Sequence, residues 1–364
     1  MSGRYGRLTD RLAALEVAGR RRRLRPLSVT GPTTARLGGQ ELVVFCSNDY
    51  LGLAHHPAVR AAWTGGATGS ARLISGDRPT HHALEEALTD LYGRPATLLS
   101  SGYHANLALL TTVLERGDVV ASDALNHASI IDGVRLSRAD KVIVPHNQPE
   151  ALPADARLAV IEGLYSMDGD RPPVAAYQGT HWLAVDEAHS FGVIGPEGRG
   201  TAAAQGATPD FVVGTLGKAI GAYGAFIIGP PALRALLLSA GRTFIFTTGL
   251  PEPAAAAALT GLRLSRAEGL REQLSANVAR LRQGLSQEGL CALGQDHIVP
   301  VVCGPRTMAI AAALLEAGFY APGIRPPTVA PGTERIRLTA SAAHTDDQID
   351  GLIEALSAAV RGCQ

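Results

Sequence analysis

From about Thr97 to Ile228, short unbroken apolar runs alternate with helix-like stretches, and that alternation limits the chain to few architectures. Thr97-Leu98-Leu99 precedes a helical stretch from Ala105 to Leu114; Val119-Val120 precedes one from His127 to Leu136; Val142-Ile143-Val144 follows. Further apolar runs lie at Leu158 to Ile161, Trp182 to Val185, Phe211 to Val213 and Ala225 to Ile228. A strand buried on both faces reads as a continuous apolar run, whereas a half-solvated strand alternates. Such runs separated by helices predict a mostly parallel sheet with helices on both faces. Ligands of these sheets sit beyond the carboxyl ends of the strands. Polar residues at strand ends are therefore the first candidates for function.

The flanks read differently. Leu8 to Ala18 reads as a short amphipathic helix with Leu12, Leu15 and Val17 inward, and Glu41 to Cys46 as a strand. Asn48-Asp49-Tyr50-Leu51-Gly52 then reads as a turn. From Ala254 a long helical region runs through Leu264, Leu270, Leu274 and Leu281 to Leu285. A strand (Ile298 to Val302), a helix (Thr307 to Ala317), a strand (Arg335 to Leu338) and a final helix (Asp346 to Val360) follow. This order predicts three parts. Residues 1–47 form a helix and strand segment packing with the small domain, 48–265 a large domain, and 266–364 a small C-terminal α/β domain. The 364 residues, 46% of them hydrophobic, are ample for both cores.

Charge and cysteine usage exclude several classes. Lys+Arg and Asp+Glu both number 33, so no global field favours nucleic acid or a membrane surface. Arg20-Arg21-Arg22-Arg23 is a local exception: a solvated helix end, or a run with one arginine turned inward to meet an acidic substrate. Cys46, Cys291, Cys303 and Cys363 have neither zinc-site spacing nor a CxxC pair, so no metal is expected and a reducing compartment is. The polar segment from Met1 to Glu16 has no apolar signal core, and no apolar stretch is long enough to span a bilayer. The expectation is a cytoplasmic protein.

Chemistry concentrates around Gly214-Thr215-Leu216-Gly217-Lys218-Ala219-Ile220-Gly221, just after an apolar run. A lysine in a dry, cramped site loses hydration as the ammonium, so its pKa falls and the neutral amine can form a Schiff base with an aldehyde. Asp186, in Val185-Asp186-Glu187-Ala188-His189, ends a preceding strand and suits the pyridinium nitrogen of pyridoxal 5'-phosphate (PLP). His189 reads either as a partner of the ring's phenolic oxygen or as half of an Asp–His turn cap. Ser100-Ser101-Gly102-Tyr103 reads as a phosphate-binding helix start or an ordinary capped turn, with Thr215 a second phosphate contact. His127 suits stacking on a cofactor ring or capping a helix, and Ser166 lies in another strand-end loop. Alternation puts Arg335 and Arg337 on one face of their strand, where an arginine forks onto a carboxylate or meets solvent.

In combination, Ser101-Gly102-Tyr103, Asn126-His127-Ala128-Ser129, Ser166-Met167-Asp168-Gly169-Asp170, Asp186-Glu187-Ala188-His189 and Gly217-Lys218 resemble the α-oxoamine synthases. These are PLP enzymes of the fold-type I (aspartate aminotransferase-like) class. The similarity covers nearly the whole chain, from Asn48-Asp49-Tyr50-Leu51-Gly52-Leu53 to Ala342-Ala343-His344-Thr345. It implies that Lys218 holds the cofactor and moves protons, Asp186 pairs with the pyridinium nitrogen, and His189 and Ser166 bond the ring oxygen. It further implies that His127 stacks on the ring, Gly102, Tyr103 and Thr215 serve the phosphate, and Arg337 binds the amino-acid carboxylate. Arg21 and Thr328 look like contacts to the acyl substrate. Ile324 to Val329 and Arg242 to Thr248 look most like members that condense L-alanine with pimeloyl-CoA or a pimeloyl-carrier protein in biotin biosynthesis. Asp123 to Gly133 looks equally like glycine C-acetyltransferases. The alternatives are a glycine C-acetyltransferase or another α-oxoamine synthase with a different acyl thioester, or a non-catalytic PLP-binding partner subunit or regulator. The family implies a homodimer, with Thr247 or Thr248 reaching the partner's phosphate. Two stretches, Pro57 to Gly69 and Val174 to Trp182, are shorter than the family pattern and read as trimmed helices or loops.

Overall fold

The computed structural model describes residues 4–267 and 269–363. Its centre is a seven-stranded sheet. Across it the order is Ala96–Leu99, Ala225–Ile228, Phe211–Thr215, Trp182–Asp186, Ala156–Glu162, Val119–Asp123 and Asp140–Val144. The last five strands pair in parallel. Ala225–Ile228 is antiparallel to both neighbours. Connection length explains this exception. Residues 216–224, between it and the preceding strand, are too few for a parallel crossover, which needs about a dozen residues.

Inside the sheet the strands read as unbroken apolar runs because both faces are covered; at the edge strand Asp140–Val144 the run is apolar too, yet Val142 and Ile143 are exposed. Helices Gly102–Val113 and Ala128–Ser137 pack on one face, joining Leu109, Leu110, Ile130 and Val134 to Val160, Val213 and Ile227. Helices Pro79–Tyr92 and Glu252–Ala267 cover the other, where Leu84, Leu88, Ala254 and Leu262 meet Leu98, Phe226 and Ile228. Over the middle of the sheet the cover is thinner. A single turn of 3-10 helix, Val174–Tyr177, and the short helix Thr201–Ala204 pack on Ala159, Ile161, Leu183 and Val185. This is one of the two shortened stretches, and the fully buried Tyr177 ring fills space there. The other holds only the helix Pro57–Ala61.

A three-stranded antiparallel sheet follows, with Arg335–Thr339 between Ile298–Val302 and Gly323–Ile324. Helices Leu270–Gln287, Thr307–Glu316 and Asp346–Gly362 cover it with Leu281, Leu285, Ile310, Leu314, Leu352 and Leu356. The last helix opens with a capping box between Thr345 and Gln348. The chain start is tied to this region. Strands Ser28–Val29, Thr34–Leu37 and Gln40–Val44 form a sheet whose fourth strand, Phe319–Tyr320, runs parallel to Gln40–Val44.

Two expectations are corrected. The helix Gly6–Val17 forms, but none of its residues is buried; Leu12 and Val17 are exposed and only Leu15 is partly covered. Periodicity creates an apolar stripe, but a stripe is buried only where another element meets it. The long helical region after Ala254 is two helices, Glu252–Ala267 and Leu270–Gln287. Among the described residues no helix is long and apolar enough to cross a membrane.

The turn after Phe211–Thr215 carries Lys218 and is tightly bonded. Leu216 N–H donates to the Gly224 carbonyl, Ala222 N–H to Leu216 and Gly221 N–H to Lys218, each at 2.9 Å. Gly221 has φ +70°, and a Cβ there would stand 2.3 Å from Ala54 N and 2.4 Å from Leu53 C. Both backbone conformation and space therefore demand glycine. Gly221→Ala is expected to lower stability by about 2 kcal/mol or more in chemical unfolding; a midpoint equal to that of the unsubstituted protein would contradict this packing.

Candidate active site

Five parallel strands end at one edge of the large sheet, and four of them end in a polar residue: Asp123, Glu162, Asp186 and Thr215. The Lys218 turn stands at the same edge. Lys218 Nζ lies 2.8 Å from His189 Nε2, and His189 Nδ1 lies 2.6 Å from the hydroxyl of the fully buried Tyr50. That hydroxyl donates to Asn48 Oδ1 at 3.0 Å, which also accepts from Arg337 Nη2 at 3.4 Å. Arg337 Nε donates to the Ser166 carbonyl. A continuous polar path thus joins the lysine to the arginine.

Asp186 is nearly buried and oriented from two sides. Its Oδ2 accepts from Asn106 Nδ2 at 2.7 Å and its Oδ1 from the Ala188 amide at 2.9 Å. Asn106 also donates to Ser129 Oγ at 2.9 Å, so helices Gly102–Val113 and Ala128–Ser137 both brace the carboxylate. Glu162 is buried beside it. Burial and the charge of Asp186 hold its carboxyl well above the usual range, with Lys218 opposing. Burial pushes the Lys218 ammonium down to about 8, although Asp186 and Glu162 pull the other way. Burial, then the positive Lys218 and Arg337, hold His189 well below its usual value. The imidazole is therefore neutral, a single donor and a single acceptor between an amine and a phenol.

The helix Gly102–Val113 opens beside these groups. Ser101 Oγ caps it by accepting from the His104 amide at 3.3 Å, and a Cβ on Gly102 would meet nothing within 4 Å. Tyr103 donates to Asp132. His127 caps Ala128–Ser137 through Nδ1, which accepts from the Ser129 amide at 3.2 Å, and its ring lies edge-on to Tyr103 with centroids 6.4 Å apart. Thr215 Oγ1 donates to the Gly224 carbonyl and accepts from the Gly217 amide, so it braces the lysine turn. An amine of lowered basicity, a braced carboxylate and an open helix start form a complementary donor set. They suit an aromatic aldehyde that carries a cationic ring nitrogen and a phosphate.

The residues expected at the acyl substrate lie further out. Thr328 lines a cavity of about 270 Å³ together with Leu125, Ser166, Asp168 and Arg335. Arg21 pairs with Glu16 at 2.7 Å on the surface, and it is Arg22 Nη2 that approaches Thr328 Oγ1, at 3.5 Å. Sequence reasoning missed Tyr50, Asn106 and Glu162. Tyr50 stands inside the turn after the first long strand, Asn106 one helical turn past Gly102, and Glu162 directly after Leu158 to Ile161. A polar residue at each of those places was a usable signal.

Comparison with known proteins agrees with this geometry. The aminotransferase class I and II family model matches residues 40–356. The 8-amino-7-oxononanoate synthase of Anaeromyxobacter sp. (strain K) is 45% identical over 372 residues, covering 95% of this chain and 94% of that one. A serine palmitoyltransferase solved with PLP as an internal aldimine superposes with a TM-score of 0.90 at 32% identity, covering 100% of this chain and 99% of that one. The 8-amino-7-oxononanoate synthase of Francisella tularensis superposes with a TM-score of 0.78 at 27% identity, covering 88% of this chain and 98% of that one. The architecture is that of the fold-type I PLP transferases. On sequence and fold together, this chain belongs to the aminotransferase class I and II family.

Proposed function

We propose that the protein is a PLP-dependent acyltransferase that condenses L-alanine with a pimeloyl thioester. The products are 8-amino-7-oxononanoate, for biotin biosynthesis, and carbon dioxide. The observation that carries this reading is the Lys218 amine, of lowered basicity, seated against neutral His189 and close to the charges of Asp186 and Arg337. Identity of 45% to a relative named for that activity supports the choice of substrates.

When bound, PLP supplies an electron sink for the negative charge that develops at the amino-acid Cα. This chain's own residues do the rest. Lys218 Nζ would hold the aldehyde carbon until the alanine amino group takes its place there; the freed amine, of lowered basicity, would then take and return the Cα proton at neutral pH. Asp186, braced by Asn106, keeps a proton on the pyridine nitrogen. His189 and Ser166 would bond the phenolic oxygen, His127 would meet the ring, and Gly102, Tyr103 and Thr215 would receive the phosphate. Arg337 forks onto the alanine carboxylate and orients its Cα. The new C–C bond joins that Cα to the thioester carbonyl carbon; the thiolate leaves, and the bond to the former carboxylate then breaks to release carbon dioxide. Thr328 and an arginine of the 20–23 run, Arg21 or its neighbour Arg22, serve the acyl chain, carried on coenzyme A or an acyl carrier protein.

A second reading keeps the chemistry and changes the substrates. The superposition on serine palmitoyltransferase favours a different amino acid and acyl chain. A non-catalytic role fits poorly with the presence of Lys218. Exposed Phe246 adjoins Thr247 and Thr248, which supports a homodimer that covers it and lets a threonine reach the partner's phosphate. We place the protein in the cytoplasm and keep the three-part division at residues 47 and 265.

Mass analysis of the product from L-alanine and pimeloyl-CoA is expected to find the amino-ketone. Glycine with acetyl-CoA, or L-serine with a long-chain acyl-CoA, is expected to give at most traces; the reverse pattern would move the reading to another oxoamine synthase. Lys218→Ala is expected to lose the visible absorbance of bound cofactor and to cut turnover by about 10³-fold or more. Cofactor capture by the cofactor-free protein is expected to accelerate as pH rises through about 8, because the neutral amine is the reactive form. A flat profile in stopped-flow absorbance would contradict that. Arg337→Lys is expected to raise KM for L-alanine about tenfold or more, since a point charge replaces a planar fork.

A further inference from the structure

His146 lies outside every motif used by the proposed reaction, yet it stands between two carboxylates. Its Nδ1 is 2.9 Å from Asp123 Oδ1 and its Nε2 is 2.8 Å from Asp170 Oδ2. A neutral imidazole has one N–H and can donate to only one of them; the imidazolium satisfies both. Asp123 ends the strand Val119–Asp123, its side chain fully buried, and accepts from the Leu125 amide at 2.8 Å and the Asn147 amide at 3.0 Å. Asn147 Nδ2 also donates to Asp170 Oδ2 at 2.6 Å, and the Tyr165 ring meets the imidazole edge-on with centroids 4.4 Å apart. Burial alone would favour the neutral ring. The hydrogen bonds to Asp123 and Asp170 outweigh it and push the imidazolium up to about 10.

Asp170 closes a short loop. Its carbonyl accepts from the Tyr165 amide at 3.0 Å, and the Gly169 amide donates back to the Tyr165 carbonyl at 2.9 Å. The three residues between meet the arginines of the strand Arg335–Thr339. Arg337 donates to the Ser166 carbonyl; Arg335 Nη1 donates to the Met167 carbonyl at 3.0 Å and to Asp168 Oδ1 at 2.6 Å. Gly169 has φ +67°, and a Cβ on it would stand 2.5 Å from the Ile298 carbonyl oxygen, so the loop lies flat against the small sheet. One side of the loop is thus tied to the large sheet through His146, the other to the small sheet through two arginines.

We propose that His146 is a positioning residue: the Asp123–His146–Asp170 clamp fixes the loop Tyr165–Asp170 and through it sets where Arg337 presents its guanidinium to an amino-acid carboxylate. The second half rests on the proposed function; the first half does not.

The test uses the full-length, cofactor-loaded protein with His146→Gln, Asp170→Asn and both together. Four quantities are read: hydrogen exchange at the Tyr165 and Gly169 amides, thermal midpoint, cofactor dissociation constant, and the affinity for L-alanine, glycine and L-serine without any thioester. Affinity is followed by the change in cofactor absorbance. His146→Gln is expected to speed exchange about tenfold and to weaken amino-acid binding about tenfold, as loss of one charge-assisted bond implies. The cofactor constant is expected to stay within about twofold. The double variant, a neutral pair able to bond, is expected to recover most of both effects. Should His146→Gln fail to fold, Asp170→Asn carries the same expectations. Unchanged exchange overturns the clamp. A lowered midpoint with unchanged amino-acid affinity reduces His146 to a structural residue and overturns the link to Arg337. If the unsubstituted protein binds none of the three amino acids while exchange responds as expected, the proposed reaction falls and the clamp stands.

Discussion

Taking one lysine amine out of water is the constraint on which the site depends. An ammonium ion strongly prefers hydration, so enclosing it beside neutral His189 costs free energy and lowers its basicity. The fold tolerates this because Asp186 and Glu162 lie near enough to oppose the penalty. Asp186 is held in turn by Asn106, which reaches it from the helix Gly102–Val113 packed on one face of the sheet. Neutral His189 completes the balance, since a second cation at 2.8 Å would repel the first. Each partner is meaningful only through the others.

Geometry at the sheet edge follows from chain mechanics. Parallel strands deliver their ends to one side, so residues far apart in sequence, Asp123, Glu162, Asp186 and Thr215, become neighbours. The strand after the lysine turn cannot cross over in so few residues and returns antiparallel, which keeps Lys218 in a short, bonded turn. Gly221 allows that turn to lie directly on the backbone of residues 53 and 54. The small sheet contributes Arg337, and the loop Tyr165–Asp170 connects the two sheets with hydrogen bonds on both sides. Positioning of Arg337 and of Lys218 is therefore a single mechanical problem.

Local pattern made much of this legible. The apolar runs at Leu158 to Ile161 and Leu183 to Val185 are buried strands with no residue suited to solvent, and Asp186 and Lys218 are conspicuous as the polar residues that follow such runs. Spacing said less about what those residues touch. The helix Gly6–Val17 has the periodicity of a buried element, yet its stripe is uncovered. The family resemblance singles out Arg21, inside a run of four that leaves the register open; the side chain near Thr328 belongs to Arg22. Tyr50 looks like an ordinary turn residue until the fold sets it against His189, 139 positions away.

Read alone, the sequence determined the strand and helix order, the family resemblance and which lysine stands out as the candidate amine. Those follow from short-range periodicity and from motifs that survive without coordinates. Only tertiary structure decided which groups face that amine, which carboxylate is braced by Asn106, and that His146 stands between two acids. The reason is that electrostatic and hydrogen-bond energies depend on distances of about 3 Å between side chains, and separation along the chain carries no information on that scale.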